Sequence, residues 1–168
     1  MKIEIERKFL IANDGWRSGV VAVEELQDGL VGEFDGGKLR VRLAEARATL
    51  TIKTPRIGIR RTEFEYEIAR PDAEAMLLLL CDDRIIQKTR YHVVHCGFAW
   101  SVDVYKNDLS GIALAEIELE YEDQPFPMPD WVGREVSEDP RFRKRTIHRL
   151  SRDNTRPLSI ADLLALPL

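Results

Sequence analysis

Several short segments of this chain of 168 residues carry charged side chains two positions apart. These side chains are of the types that bind phosphates and metal ions. The opening segment MKIEIERKFL carries Glu4, Glu6 and Lys8 in this spacing. Guanidinium and ammonium groups bind phosphate oxygens, and carboxylate pairs bind hard cations such as Mg²⁺. The chain therefore contains both kinds of group that a linear polyphosphate with a divalent cation would need. The spacing returns at Arg40 and Arg42, at Thr49, Thr51 and Lys53, at Arg61, Glu63, Glu65 and Glu67, at Lys88 and Arg90, at Ser101, Asp103 and Tyr105, and at Glu116, Glu118 and Glu120.

This alternation predicts β-strands, because successive side chains of a strand point to opposite faces and apolar residues fill most positions between the charged ones. An ordinary half-solvated strand is the simpler interpretation of any single segment. These faces hold mostly Arg, Lys, Glu and Asp instead of the usual Thr, Ser, Gln and Lys mixture, which favours a shared interior. We predict strands near residues 2–10, 38–43, 48–53, 61–69, 87–94, 99–105 and 113–121, with one more in the weaker Val21–Val31 region.

The predicted fold class is α+β: antiparallel strands rolled into a β-barrel with a charged interior and covering helices. Such an interior needs a guest, because an unmatched buried charge costs on the order of several kcal/mol. A linear polyphosphate with divalent cations would match both signs of charge.

Three helices are predicted around the strands. Pro71 is placed for the first turn of a helix that runs through MLLLLCDD. Asp139 and Pro140 predict the start of a basic helix to about Leu150, and Ser159 with Asp162 predicts a capped C-terminal helix over 160–166. The proline-rich segment 124–130 is predicted to be a surface connection, and residues 1–168 to form a single domain.

Composition narrows the function classes. A net charge of −4 disfavours a generic nucleic-acid binder, and the longest apolar run is too short to cross a membrane. The charged N-terminus lacks the apolar stretch of a signal peptide, so we expect a cytoplasmic protein. The remaining groups are expected to carry no function. Cys81 and Cys96 are expected to be buried free thiols, and His92, His95 and His148 to be surface or core residues. Lys2, Arg56, Arg60 and the basic run 141–149 are expected to be solvated, with the alternative that this run flanks a mouth of the barrel.

The ordered series of charged pairs resembles the CYTH superfamily of triphosphate tunnel metalloenzymes. The resemblance spans nearly the whole chain, and the stretches IERKFL and DVYKNDLSGIALAEIELE are similar to compact bacterial members. It implies an eight-stranded antiparallel tunnel in which basic residues grip a triphosphate and acidic residues hold one or two Mg²⁺ or Mn²⁺ ions.

The resemblance also implies roles for individual residues. Catalytic roles fall to Glu4, Glu6 and Lys8. Phosphate binding falls to Lys8, Arg40, Arg42, Lys53, Lys88 and Arg90. The metal-binding set is Glu4, Glu6, Glu63, Glu65, Asp103, Glu116 and Glu118.

The implied activity is metal-dependent hydrolysis of inorganic tripolyphosphate to pyrophosphate and phosphate. A class IV adenylyl cyclase, a nucleoside triphosphatase or a thiamine triphosphatase is the second interpretation, and a non-catalytic polyphosphate-binding module is the third. The expected partner is a small-molecule triphosphate, without nucleic acid or membrane, and a homodimer is left open.

Overall fold

The computed structural model describes residues 1–81, 85–143, 146–147, 150 and 156–167. Within them nine strands alternate with short helical segments. The strands are β1 (Lys2–Ile11), β2 (Val20–Phe34), β3 (Gly37–Ala44), β4 (Ala48–Lys53), β5 (Arg60–Ile68), β6 (Ile85–His95), β7 (Phe98–Tyr105), β8 (Ala113–Glu118) and β9 (Val132–Glu135). The helices are α1 (Arg70–Leu80) and α2 (Ile160–Leu164), with 3₁₀ turns at Asp14–Gly19, Asn107–Leu109 and Pro140–Phe142.

Eight of these strands close into an antiparallel barrel. They run in the order β5, β4, β3, β2, β6, β7, β8, β1, and pairing of β1 with β5 closes the ring. The first half of β1 pairs with β5 through residues 2–5, and its second half meets β9 around Phe9 and Ile11. The predicted eight-stranded barrel is confirmed, and β9 is an additional short strand that the sequence pattern did not predict.

The apolar faces of the strands lie outside the barrel, beneath covering segments. Phe9, Trp100 and Trp131 belong to one buried cluster with Trp16 from the first 3₁₀ turn. The Trp100 ring centroid lies 5.4 to 5.6 Å from those of Phe9, Trp131 and Phe126. Large aromatic side chains contribute most of the apolar area buried in this cluster. The apolar core therefore lies outside the barrel, and polar groups occupy the barrel interior.

Helix α1 covers β2, β3 and β4, and it buries Ala73 and Leu77. A Cβ added at Gly29 of β2 would lie 2.6 Å from both Cys81 Sγ and Leu77 Cδ2, so glycine allows this close approach. The helix begins at Arg70, as the Pro71 signal predicts, and Cys81 is its C-cap residue. The two aspartates that end the predicted helix lie outside the described residues.

The remaining helix predictions need correction. Asp139 does cap a helical segment, but this is a 3₁₀ turn over Pro140–Phe142, and Arg143 is extended (φ −71°, ψ 135°). The predicted continuous helix from Asp139 is therefore wrong at its start, although Thr146, Ile147 and Leu150 further along it are helical. Residues 144–145 and 148–149 of this predicted helix lie outside the described set. Helix α2 has the predicted capping box between Ser159 and Asp162, but it ends at Leu164.

The structure also tests the predictions for the cysteines and the histidines. Cys81 is buried, whereas Cys96 is exposed, because it lies with Gly97 in the tight β6–β7 turn at φ 48° and 83°. His92 and His95 are partly exposed in β6, and His148 lies outside the described residues. No helix in the described ranges is long and apolar enough to span a membrane.

Candidate active site

The inward faces of the strands surround a cavity of about 880 Å³. Lys88 and Asp103 are the two predicted site residues that do not line it, since both side chains are fully buried in the wall. The predicted residues that line the cavity are Glu4, Glu6, Lys8, Arg40, Arg42, Lys53, Glu63, Glu65, Arg90, Glu116 and Glu118. The period-two spacing therefore brings side chains from six strands to one space.

One part of the wall is organised by two aspartates, and we call Asp28, Arg42, Lys88, Arg90 and Asp103 the aspartate cluster. Asp28 accepts two hydrogen bonds from the Arg42 guanidinium, at 2.6 and 2.9 Å. Asp103 accepts two from Arg90, at 2.7 and 2.8 Å, and also pairs with the Lys88 ammonium. Bidentate pairs fix the plane of a guanidinium as well as its position.

Burial and charge compete within the aspartate cluster. Burial alone would raise the pKa of Asp103, but the Lys88 and Arg90 charges outweigh it and lower this pKa to about 2. Burial lowers the pKa of Lys88, and the Asp103 charge opposes that effect. For Arg90 the pair with Asp103 outweighs burial and raises the pKa. The cluster thus favours charged Asp103 and Arg90 in spite of burial.

A second part of the wall is built around glutamates, and we call Glu4, Lys53, Arg61 and Glu63 the glutamate cluster. Lys53 donates to Glu4 at 2.7 Å and also pairs with Glu63, while Arg61 pairs with Glu4. Burial tends to raise the pKa of Glu4, but Lys53 and Arg61 outweigh it and hold this pKa well below the usual range. The closure of β1 on β5 brings these groups together.

Carboxylates and cations also face each other across β1 and β8. The strand register sets Glu6 opposite Glu118 and Lys8 opposite Glu116. Lys8 lies 2.8 Å from Glu116, which raises the pKa of Lys8 although burial opposes this. Glu116 also accepts from Arg90 at 3.0 Å, so it links this wall to the aspartate cluster.

Arg40 is the least completely paired of the predicted cations in the cavity. Its guanidinium lies 3.6 Å from Asp28 and 3.9 Å from Glu65, and one amino group donates to Thr51 at 3.3 Å. Its Nε has no hydrogen-bond partner, and burial lowers the pKa of the group. A buried donor without a partner is costly, so Arg40 would gain from an anionic oxygen in the cavity.

The predicted site does not include several other charged residues that line the cavity: Lys2, Asp28, Glu33, Lys38, Arg47, Arg56, Arg61, Glu138, Asp139 and Arg143. Arg56 had been expected to be solvated, but it donates to Glu6 at 3.0 Å because the β4–β5 connection folds over the cavity. Lys38 and Arg61 each lie two residues before a predicted site residue, so the period-two rule contained the signal for both. Asp28 had no such signal, because Leu26 and Leu30 flank it on the same strand face.

The carboxylates have the right chemistry for a hard cation. Glu6 and Glu118 lie directly opposite each other, which is destabilising for like charges unless cations lie close by. Arg56 and Lys2 neutralise these two carboxylates in the structure. Within the described part of the chain, no three His, Cys, Asp or Glu side chains are already grouped to hold a metal ion. Oxygen donors of this kind fit Mg²⁺ or Mn²⁺, once they exchange their Lys and Arg partners for the metal.

Proteins with similar sequences and structures identify the family to which this chain belongs. The CYTH domain model matches residues 2–150. The inorganic triphosphatase of Acetivibrio thermocellus is 41% identical over 140 residues, covering 83% of this chain and 88% of that protein. The inorganic triphosphatase of Nitrosomonas europaea is 34% identical over 148 residues, covering 86% and 95%. A crystal structure of an inorganic triphosphatase aligns at a TM-score of 0.63 and 32% identity, over 88% of this chain and 95% of that one. The chain belongs to the CYTH domain family.

Proposed function

We propose that this protein hydrolyses inorganic tripolyphosphate to pyrophosphate and phosphate in a reaction that depends on Mg²⁺ or Mn²⁺. The observation that carries the proposal is the convergence of Lys8, Arg40, Arg42, Lys53 and Arg90 on one cavity that is also lined by carboxylates. The two relatives named inorganic triphosphatase, at 41% and 34% identity, support the same substrate.

The basic residues bind and orient the phosphates. Arg42 and Arg90 are fixed by their bidentate aspartate partners, so they present their remaining donors to the cavity in a defined direction. Arg40 adds a guanidinium whose carboxylate contacts are long, at 3.6 and 3.9 Å, and Lys8 and Lys53 add charge from β1 and β4. Positioned cations of this kind stabilise the charge that develops on phosphate oxygens during phosphoryl transfer.

Lys88 and Asp103 have a supporting role in this proposal. Both side chains are 0% exposed, and they hold Arg90 from behind the cavity wall. We assign them as positioning residues, although the family resemblance implies phosphate binding for Lys88 and metal binding for Asp103.

The metal would be held by carboxylates on β1 and β8. Glu4, Glu6, Glu116 and Glu118 are the main candidates, with Glu63 and Glu65 nearby on β5. A bound Mg²⁺ or Mn²⁺ would neutralise charge on the phosphate oxygens and help to supply the attacking water. A carboxylate left outside the metal shell would orient that water for in-line attack, and no covalent nucleophile is required.

The deciding experiment measures phosphate release from the purified protein with tripolyphosphate, pyrophosphate, ATP and thiamine triphosphate. Each substrate is tested with Mg²⁺, with Mn²⁺ and with excess chelator. We expect rapid turnover of tripolyphosphate, slow turnover of pyrophosphate because it leaves cations unpaired, slower turnover of ATP because adenosine adds bulk, and none in chelator.

Other outcomes would replace the proposal. Undiminished turnover in chelator would contradict the metal requirement. Faster formation of cyclic AMP from ATP than of phosphate from tripolyphosphate would identify a cyclase. Binding of both compounds without turnover of either would identify a polyphosphate-binding module.

A further inference from the structure

Lys38 is a cavity cation that has no part in the ion-pair network described above. Lys38 lines the cavity from the start of β3, on the same strand face as Arg40 and Arg42. Residues two apart on an antiparallel strand are separated by about 7 Å, so these three side chains form a row along the wall. Lys38 is the member of the row closest to the β2–β3 turn.

The surroundings of Lys38 are strongly basic. Lys53 lies opposite it in the β3–β4 register, and Arg61 from β5, Arg40 from β3 and Lys8 from β1 add positive charge. Glu33 lies opposite it on β2 but makes no ion pair with it. Within the described residues, no carboxylate lies within ion-pair distance of the Lys38 ammonium, whereas Lys53 beside it has both Glu4 and Glu63.

We propose that Lys38 is a further phosphate-binding residue, which contacts the terminal phosphate of a linear polyphosphate at the end of the cavity formed by the β2–β3 turn and residues 54–58. Gly36, Thr54, Pro55, Arg56 and Gly58 line this end of the cavity. An anionic oxygen there would give the Lys38 ammonium the counter-charge that the protein itself does not supply.

A second property supports the role. Burial, with the charges of Arg61, Lys53, Arg40 and Lys8, lowers the pKa of Lys38 to about 7. Before the anion binds, Lys38 therefore loses its proton at a much lower pH than an ordinary lysine does. A bound phosphate favours the charged form and raises this pKa, so binding should draw a proton onto Lys38.

The experiment is isothermal titration of the protein with tripolyphosphate in excess chelator, at pH 6, 7 and 8, in two buffers with different ionisation enthalpies. The difference between the buffers gives the number of protons taken up. Wild-type protein is compared with Lys38→Met, which removes the charge, and with Lys38→Arg, which keeps it at every pH used. Lys106→Met is the matched control, because Lys106 pairs with Glu25 outside this cavity.

Comparing variants cancels the protons that the substrate itself carries. Relative to Lys38→Met, wild-type protein should take up additional protons, and this excess should increase from pH 6 to pH 8. Lys38→Met should bind tripolyphosphate about tenfold more weakly. Lys38→Arg should bind without the extra uptake, and Lys106→Met should match wild type.

Equal proton uptake and equal affinity in wild type and Lys38→Met would overturn the role. If Lys38→Met does not fold, as judged by circular dichroism, proton uptake by Lys38→Arg equal to that of wild type would overturn it instead. The role rests on the proposed function, but the two fail separately: phosphate release with Mg²⁺ tests the reaction, and the chelator titration tests the Lys38 contact.

Discussion

The aspartate cluster and the glutamate cluster use similar charges in different ways. In the aspartate cluster, two short carboxylates hold two guanidinium groups bidentately and leave Lys88 and Asp103 wholly buried. In the glutamate cluster, longer side chains share their partners, with Lys53 between Glu4 and Glu63, and Glu4 between Lys53 and Arg61.

This difference predicts different roles for the two clusters in the cavity wall. Bidentate pairs with a short carboxylate fix the direction of a cation, whereas pairs shared among longer side chains can exchange one partner for another. We therefore expect changes in the aspartate cluster to lower stability most, and changes in the glutamate cluster to lower activity most.

Asp103→Asn should give the largest loss of stability. The substitution removes the main counter-charge of Lys88, which is fully buried, and of Arg90, which is nearly buried. Breaking a buried ion pair costs about 3–5 kcal/mol. Urea unfolding followed by circular dichroism would measure the fall in unfolding free energy. Adding Lys88→Met should recover part of it, since one stranded charge is then removed. A loss below about 1 kcal/mol would remove the distinction between the clusters.

Glu4→Gln should give the opposite balance. Lys53 keeps Glu63 as a partner and Arg61 lies beside the cavity, so we expect a loss of only about 1–2 kcal/mol in unfolding free energy. Tripolyphosphate turnover with Mg²⁺ should fall about a hundredfold or more, because Glu4 is a candidate metal ligand. Glu67→Gln on β5 is the matched control, since Glu67 does not line the cavity. Normal turnover by Glu4→Gln would exclude it from the metal site.

Eleven of the charged residues that line the cavity could be predicted from the sequence, but the ion pairs among them could not. Period-two spacing identified the inward faces of seven strands, and the same rule also covers Lys38 and Arg61. It could not find Asp28, whose neighbours on the strand face are leucines, or Arg56, which belongs to a connection. Lys53 and Glu4 are 49 residues apart and meet only because β1 closes on β5. Partners of this kind depend on register and closure, which no local pattern encodes.

The limits on the fold prediction are also physical. Strand β9 has four residues and is held by its pairing with β1, so it has little pattern of its own. An aspartate followed by proline can start an α-helix or a 3₁₀ turn, because both leave the same first N–H groups unpaired. The extended backbone of Arg143 decides between the two, and the start signal at Asp139 does not determine it.

Lys38→Met should stabilise the protein near neutral pH. The folded-state pKa of Lys38, about 7, lies below its usual value of 10.5. Below pH 7 both folded and unfolded chains carry the charge, so the penalty on the folded state is complete there. It declines as pH rises towards 10.5, because the folded chain has then lost a proton that the unfolded chain keeps.

The stabilisation by Lys38→Met should therefore be largest near pH 6.5, where a shift of this size allows at most about 4–5 kcal/mol, and smaller at pH 9.5, as measured by urea unfolding at both values. Lys106→Met, at a cation with a carboxylate partner, should show no such trend. A gain that grew with pH would contradict the reasoning.

The smallest effect is expected outside the barrel. Arg7 lies between Glu6 and Lys8 in sequence but points outwards, where it pairs with Glu135 of β9 through two hydrogen bonds. The pair is bidentate, like Arg90 with Asp103, but its side chains are 28% and 34% exposed. Water screens such a pair, so Glu135→Gln should cost less than about 1 kcal/mol in unfolding free energy and leave tripolyphosphate turnover unchanged. A loss as large as that of Asp103→Asn would mean that bidentate geometry, and not burial, sets the cost in the aspartate cluster.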